Sequence, residues 1–334
     1  MSVVRIAVSG FGAIGLQVAK LLLARQDSLK HRYEKTLLIS GVCGSKGGVV
    51  EPEGLSLEQL DKKNFVAGLT GMSFIQKVEA DILIEAGPSN IQTGQPGFDY
   101  GMAALDKNMH LVFASKGALV CHYASLIQTA NNNQKQIKLS AATASAMPTI
   151  DFVERCLAGA TIKKIEAILT GTSNLILTDM LQSGSDYKTA LHKAQQLGIA
   201  DPDPSFDVEG WDTASKLVIM AARLFNTPLD IQLLAKDSLT DINKEQVMGW
   251  QQQGLQPRLI ASIDFTTPQP SYLVKLKLYD KHDAFYAVNG ATKAIWVDTE
   301  EMGCFYLTGG TSNPLATAAA VVKDIEQLLM DKLL

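Results

Sequence analysis

The stretch from Asp201 to Lys216 is the most informative in this chain for chemistry. It runs Asp201-Pro202-Asp203-Pro204, then Asp207, Glu209, Gly210 and Asp212, and ends at Lys216. Prolines stiffen the loop, and the acids pass from it onto a helix. Asp212 and Lys216 are four residues apart, so on a helix they share one face. A carboxylate beside an ammonium can orient it and hold a substrate hydroxyl between the two. An isolated pair at this spacing is more often a surface ion pair of small energetic weight. The acidic, proline-rich approach to it favours a site.

A second motif calls for a nucleotide. Gly10-Phe11-Gly12-Ala13-Ile14-Gly15 fits G-x-G-x-x-G, follows an apolar run at residues 3–8 and opens an apolar helical pattern at 15–24. In that setting the glycines let a pyrophosphate lie against backbone N–H groups at the positive end of a helix. The second strand, residues 37–43, ends in Val42-Cys43-Gly44-Ser45-Lys46. NAD enzymes usually carry an acid there for the ribose hydroxyls. This chain offers a hydroxyl and a lysine instead, which favours NADP, with NAD as the alternative.

The elements that must position these residues follow two patterns. Through about residue 120 short apolar runs (3–8, 37–43, 81–85, 110–114) alternate with helical stretches, one of them at 100–108. This predicts a parallel, doubly wound sheet of Rossmann type. Beyond residue 137 the order changes. A strand is expected at 163–170, then a Gly-Thr-Ser-Asn turn and helices at 175–181, 187–197 (closed by Gly198) and 212–225. Residues 201–207 are expected to be a non-helical loop. Alternation at 259–297 predicts an antiparallel sheet with one wet face, and a last helix spans 316–333. The fold class is α/β with a second α+β domain for catalysis and dimerisation. A dinucleotide-binding domain spans 1–137 and is completed by about 305–334; residues 138–304 form the substrate-binding domain.

Composition excludes several classes. The 334 residues are 46% hydrophobic and 19% charged, with a net charge of −4. This is globular material, and the near-neutral charge argues against a nucleic-acid partner. No apolar run is long enough to span a bilayer, and no leader pattern precedes the first strand. The four cysteines (43, 121, 156, 304) and five histidines show no metal-ligand spacing. No metal, no membrane and a cytoplasmic setting are expected.

The stretch Ala194–Lys216 resembles the homoserine dehydrogenase family, whose pattern A-x3-G…D-P-x2-D-hydrophobic-x-G-x-D-x3-K it matches at every spacing. Gly171-Thr172-Ser173-Asn174 is similar to the family's G-T-T-N, Ala114-Ser115-Lys116-Gly117 to its A-N-K-G, and 316–324 to its C-terminal T-A-x-x-V-x-x-D helix. The resemblance implies NAD(P)-dependent interconversion of L-aspartate 4-semialdehyde and L-homoserine, on the route to threonine and methionine, in a short form without a regulatory domain. It implies that Lys216 donates the proton to the carbonyl oxygen and that Asp212 hydrogen-bonds the reacting oxygen or the substrate amine. Lys116 would lie near the nicotinamide and share the proton transfer. Asp201 would meet the substrate ammonium and Thr172 its carboxylate, with Asp207 also at the substrate. Ser89 and Gly198 join Gly10–Gly15, Ser45, Lys46 and Lys116 as expected cofactor contacts. A homodimer through the second domain is expected.

Three departures from the family pattern stand out. Asp201 is one methylene shorter than the family's glutamate. Ser140-Ala-Ala-Thr-Ala-Ser145-Ala146-Met147-Pro148 replaces a sodium-binding E-A-x-V-x-G-G-x-P, which argues against a monovalent cation. Gly309-Gly310-Thr311-Ser312-Asn313 replaces G-A-G-A-G. They leave open two alternatives: a dehydrogenase of another small hydroxy- or oxo-amino acid, or a catalytically weak NADP-binding sensor.

Overall fold

The structure, a computed structural model, describes residues 2–62 and 64–334. The chain divides into two compact units, Met1–Ala146 with Asn313–Leu334, and Met147–Ser312.

The first unit holds strands β1 (Ser2–Ser9), β2 (Lys35–Cys43), β3 (Gly47–Val50), β4 (Val66–Ala67), β5 (Ile82–Glu85), β6 (His110–Phe113) and β7 (Ile137–Lys138), in the order β4-β3-β2-β1-β5-β6-β7. Five of them, β2-β1-β5-β6-β7, are parallel. β5 and β6 are buried along their whole length, as sheet strands covered on both faces must be. The sequence missed β3 and β4, a short antiparallel extension beyond β2 that makes the sheet mixed. Helices α1 (Ala13–Tyr33), α2 (Leu57–Lys62), α3 (Gly71–Lys77), α4 (Gly97–Asp106) and α5 (Gly117–Asn132) connect these strands, and α6 (Ser140–Ala144) follows β7. α1 buries Gly15, Val18, Ala19, Leu22 and Leu29, a stripe at helical spacing. It ends with Glu34 in the left-handed region, whose N–H bonds back to Lys30.

The second unit is built on β8 (Ile162–Ile168), β9 (Gln256–Asp264), β10 (Ser271–Tyr279), β11 (Lys293–Thr299) and β12 (Gly303–Gly309). They run antiparallel throughout, in the order β10-β9-β8-β11-β12. Its helices are α7 (Thr149–Asp151), α8 (Gly171–Ser183), α9 (Tyr187–Gln196), α10 (Ser205–Val208), α11 (Trp211–Phe225) and α12 (Lys244–Gln253). Two local expectations are corrected. Gly171–Asn174 is the first turn of α8 rather than a turn before it. Residues 201–207 are not wholly irregular, because α10 starts directly after Pro204, where a missing N–H costs a helix nothing.

The last helix, α13 (Pro314–Met330), returns to the first unit. Its buried Ala318, Val321, Val322, Ile325, Leu328 and Leu329 join the core that contains Val18 and Leu22 of α1. Residues 303–309 run as β12 beside β11, and the boundary expected from the sequence at about 305 falls within this strand.

Candidate active site

In the first unit the glycine loop connects β1 to α1. The N–H groups of Gly10 and Phe11 both donate to the Cys43 carbonyl at 2.9 Å, which pins the loop to the end of β2. Gly10 has φ of +95°, and a Cβ there would lie 2.3 Å from the Ala86 backbone. A Cβ on Gly15 would lie 2.3 Å from the Gly10 carbonyl oxygen. Both glycines are therefore demanded by packing. Gly12 differs, since a Cβ there would meet nothing within 4 Å. Gly12 caps α1 without a side-chain hydrogen bond, and the first turn, Ala13 and Ile14 included, carries no acid. Open space in front of an uncapped helix N-terminus fits a dinucleotide pyrophosphate.

The flanking residues are as follows. Ser45 and Lys46 are exposed on the turn between β2 and β3. Ser89 Oγ accepts from the Lys116 N–H at 2.8 Å, and Lys116 is the N-cap residue of α5. The buried carboxyl of Glu85, at the end of β5, accepts from Ser115 Oγ and from the Gly87 N–H at 2.9 Å. Burial pushes that carboxyl upward, against both hydrogen bonds. Ser140 donates to Asp324 from its N–H at 2.9 Å and its Oγ at 2.6 Å. Lys323 Nζ in turn donates to Ser140 Oγ at 2.7 Å.

In the second unit the four-residue spacing becomes a buried cluster. Lys216 Nζ donates to Asp212 Oδ2 at 2.5 Å and to the Leu169 carbonyl at 2.8 Å, with Thr170 Oγ1 at 3.3 Å. Thr170 Oγ1 donates to Asp212 Oδ2 at 2.6 Å and lies 3.1 Å from Thr213 Oγ1. The Asp212 side chain is 8% exposed and that of Lys216 13%. This is not a solvated surface pair. The carbonyl of Leu169, just past the end of β8, and the N-cap threonine of α8 fix both partners.

The other expected substrate residues surround the first turn of α8. Thr172 Oγ1 donates to the Ile199 carbonyl at 3.2 Å, and Ser173 Oγ to the Asp207 carbonyl at 3.0 Å. These bonds tie the 199–207 loop to α8. Asp207 is partly buried; Asp201 is exposed, its carbonyl held by Gln195 Nε2 at 3.1 Å. Gly198, with φ of +67°, ends α9.

Sequence reasoning missed two residues, Thr170 and Lys293, and the role of a third, Asn174. Thr170 lies outside every motif. Asn174 Nδ2 donates to the carbonyls of Val288, Gly290 and Thr292 at 2.9–3.0 Å and clamps the loop that leads into β11. That loop delivers Lys293, which is 1% exposed. Burial, with Lys216 nearby, pushes the Lys293 ammonium down to about 7, and Asp212 opposes the shift. One signal could have revealed it. Lys293 stands in phase with the inward Ile295 and Val297, where an alternating strand places apolar residues.

A dinucleotide-binding sheet carried in one chain with an antiparallel unit that buries a lysine–aspartate pair defines a nicotinamide-dependent oxidoreductase. A family model of homoserine dehydrogenase matches residues 148–325, and a model of the homoserine dehydrogenase NAD-binding domain matches 10–140. The chain belongs to the homoserine dehydrogenase family. It is 32% identical over 331 residues to a homoserine dehydrogenase of Methanocaldococcus jannaschii, which covers 96% of this chain and 97% of that one. It is 29% identical to an NAD(+)-dependent homoserine dehydrogenase of Pseudomonas canavaninivorans, over 97% and 96% of the two chains. The crystal structure of S. aureus homoserine dehydrogenase at pH 7.5 superposes with a TM-score of 0.80 at 25% identity, covering 99% of this chain and 77% of that one.

Proposed function

We infer that this chain interconverts L-homoserine and L-aspartate 4-semialdehyde by hydride transfer with a nicotinamide dinucleotide. Membership of the family supports the reaction, and the buried Thr170–Asp212–Lys216 cluster is the observation that carries the chemistry. When bound, the nicotinamide supplies or accepts the hydride. Lys216 gives a proton to the carbonyl oxygen during reduction and accepts it during oxidation. Asp212 and the Leu169 carbonyl fix the ammonium, so its charge is in place where the alkoxide develops. The N–H groups in the first turn of α8, beside Thr172, suit the substrate carboxylate. Asp207 and Asp201, on the loop tied to that turn, suit its ammonium. Lys116 stands beside the nicotinamide.

The finer readings are also proposals. NADP is favoured over NAD because Gly44 holds the position of a ribose-binding acid and Ser45 and Lys46 flank it. Gly10–Gly15 and Ser89 serve the cofactor, as does Gly198 in the sequence reading. A homodimer through the second sheet is proposed as well; Tyr306 of β12 is exposed on the sheet face that carries Trp296. No described helix is long and apolar enough to cross a membrane; a cytoplasmic setting is proposed from the sequence.

The test is steady-state turnover with homoserine, serine and threonine, each with NADP and NAD, followed by absorbance of the reduced cofactor. Homoserine oxidation with the highest kcat/KM supports the reading. A preference for another hydroxy amino acid redirects the substrate, and no turnover with any of them overturns the reading.

A further inference from the structure

Alcohol oxidation to an aldehyde breaks one C–H and one O–H bond. The hydride goes to the dinucleotide and one proton must be held elsewhere. Lys216 is the nearest holder, but its ammonium already donates to Asp212, Leu169 and Thr170. It can take a proton from substrate only after passing one on.

The neighbouring strand supplies a second amine. Ala294 pairs with Ile168, so Lys293 stands one step further along, beside Leu169, whose carbonyl receives the Lys216 ammonium. Three sets of bonds hold the segment. Asn174 binds three carbonyls of the preceding loop, Thr308 Oγ1 donates to the Lys293 carbonyl at 3.2 Å, and buried Arg258 donates to the carbonyls of Phe285 and Tyr286. A Cβ on Gly171 would lie 2.8 Å from the Ala291 carbonyl oxygen, so this loop presses directly on the start of α8.

We propose that Lys293 is the proton reservoir of the reaction centre: it receives, through Lys216, the proton released by alcohol oxidation and returns it during reduction. This rests on the oxidoreductase reading above. In oxidation Lys216 passes an ammonium proton to the Lys293 amine, then accepts the hydroxyl proton as the hydride leaves carbon. Reduction runs the same steps backwards, so protons and charge balance within the pair. Lys293 acts through Lys216 and is a positioning residue in this sense.

The surroundings suit the role. From α11 the charges acting on Lys293 are Lys216, which disfavours its protonation, and Asp212, which favours it. Beside it are Leu169, just past the end of β8, and Thr308 and Gly309 of β12, none of them titratable. Glu166, paired with Trp296, projects by alternation from the other face of the sheet, where Lys277 and Tyr279 engage it. An amine that loses its proton to about 7 can both take and give one at neutral pH.

Two measurements test this. The first titrates the purified protein carrying 13C at lysine Cε by NMR, with the Lys293 signal assigned by its loss in Lys293→Arg. A midpoint near 7 is expected; a midpoint above 9.5 overturns the proposal, whatever the activity. The second is kcat for homoserine oxidation against pH for the wild type, Lys293→Met and Lys293→Arg, with cofactor affinity measured alongside. Both variants should lose the rise near pH 7 and fall at least tenfold at pH 8, with cofactor affinity within twofold of wild type. Arg keeps the charge but cannot accept a proton, so it decides the matter even if Met fails to fold. A wild-type profile in either variant defeats the inference alone. No turnover by the wild type defeats the oxidoreductase reading and this inference with it.

Discussion

The two units build their sites from different material. The first uses backbone: glycines, an uncapped helix N-terminus and carbonyls that pin the loop, with side chains largely withdrawn. The second uses side chains: a carboxylate, a hydroxyl and a part-buried lysine bonded to one another, with the buried Lys293 on the neighbouring strand. Backbone donors suit a part of the ligand that does not change in the reaction. They carry no proton to exchange and hold no long side chain that must be ordered. Side chains are needed where charge develops and a proton moves. Substitutions should therefore separate the units, with affinity failing in one and turnover in the other.

The largest separation is expected from Lys216→Ala. Losing a positioned proton donor should lower kcat by about 10²–10⁴-fold, while dinucleotide affinity by fluorescence stays within twofold. A loss of turnover below tenfold would remove Lys216 from the proton-donor role and make Lys116 the first candidate.

Next comes the cofactor phosphate. A well-placed charge-assisted contact is worth on the order of 1.5–3 kcal/mol, so Lys46→Ala should cut the NADP over NAD preference in kcat/KM by roughly ten- to a hundredfold. Gly44→Asp should push the preference the same way by setting a carboxylate against the 2′-phosphate. An unchanged ratio in Lys46→Ala would make Lys46 a solvated loop residue.

The glycine loop divides within itself. Gly15→Ala must push a Cβ against the Gly10 carbonyl, so the thermal midpoint should fall, by about 1–3 kcal/mol of stability. Gly12→Ala meets no protein atom, so the midpoint should hold while dinucleotide Kd rises by about tenfold, roughly 1.4 kcal/mol. Equal loss of stability in both would mean that the open space at Gly12 is not the ligand's.

The smallest effect concerns sodium. Ser140 is bonded to Asp324 and Lys323, and a cationic ammonium on its Oγ is a poor neighbour for a metal ion. Sodium should change kcat by less than twofold relative to choline at constant ionic strength. A saturable, cation-specific rise would contradict this.

The contrast also explains what was legible in the sequence. The glycine loop was readable because its constraints are local: a turn, a close approach and a helix start all fall within Gly10–Gly15. Asp212 and Lys216 were readable because helical spacing alone puts them on one face. Thr170 and Lys293 reach the same place only through the pairing of β8 with β11 and the packing of α11, and no local rule encodes that register. The short β3–β4 extension was missed because Gly47-Gly48 and a two-residue strand leave no periodic trace. Asn174 was noticed as part of a motif, yet its work lies in a loop more than a hundred residues later.

The most direct test of the account is a single turnover. Wild-type protein is loaded with one equivalent of reduced NADP, mixed rapidly with L-aspartate 4-semialdehyde, and followed by loss of the reduced-cofactor absorbance with quantitation of product. One L-homoserine is expected per cofactor oxidised, with the deuterated cofactor delivering its label to the new alcohol carbon. Tight binding of the reduced cofactor, with no oxidation and no homoserine, would contradict it and leave a nucleotide-binding protein that does no hydride chemistry.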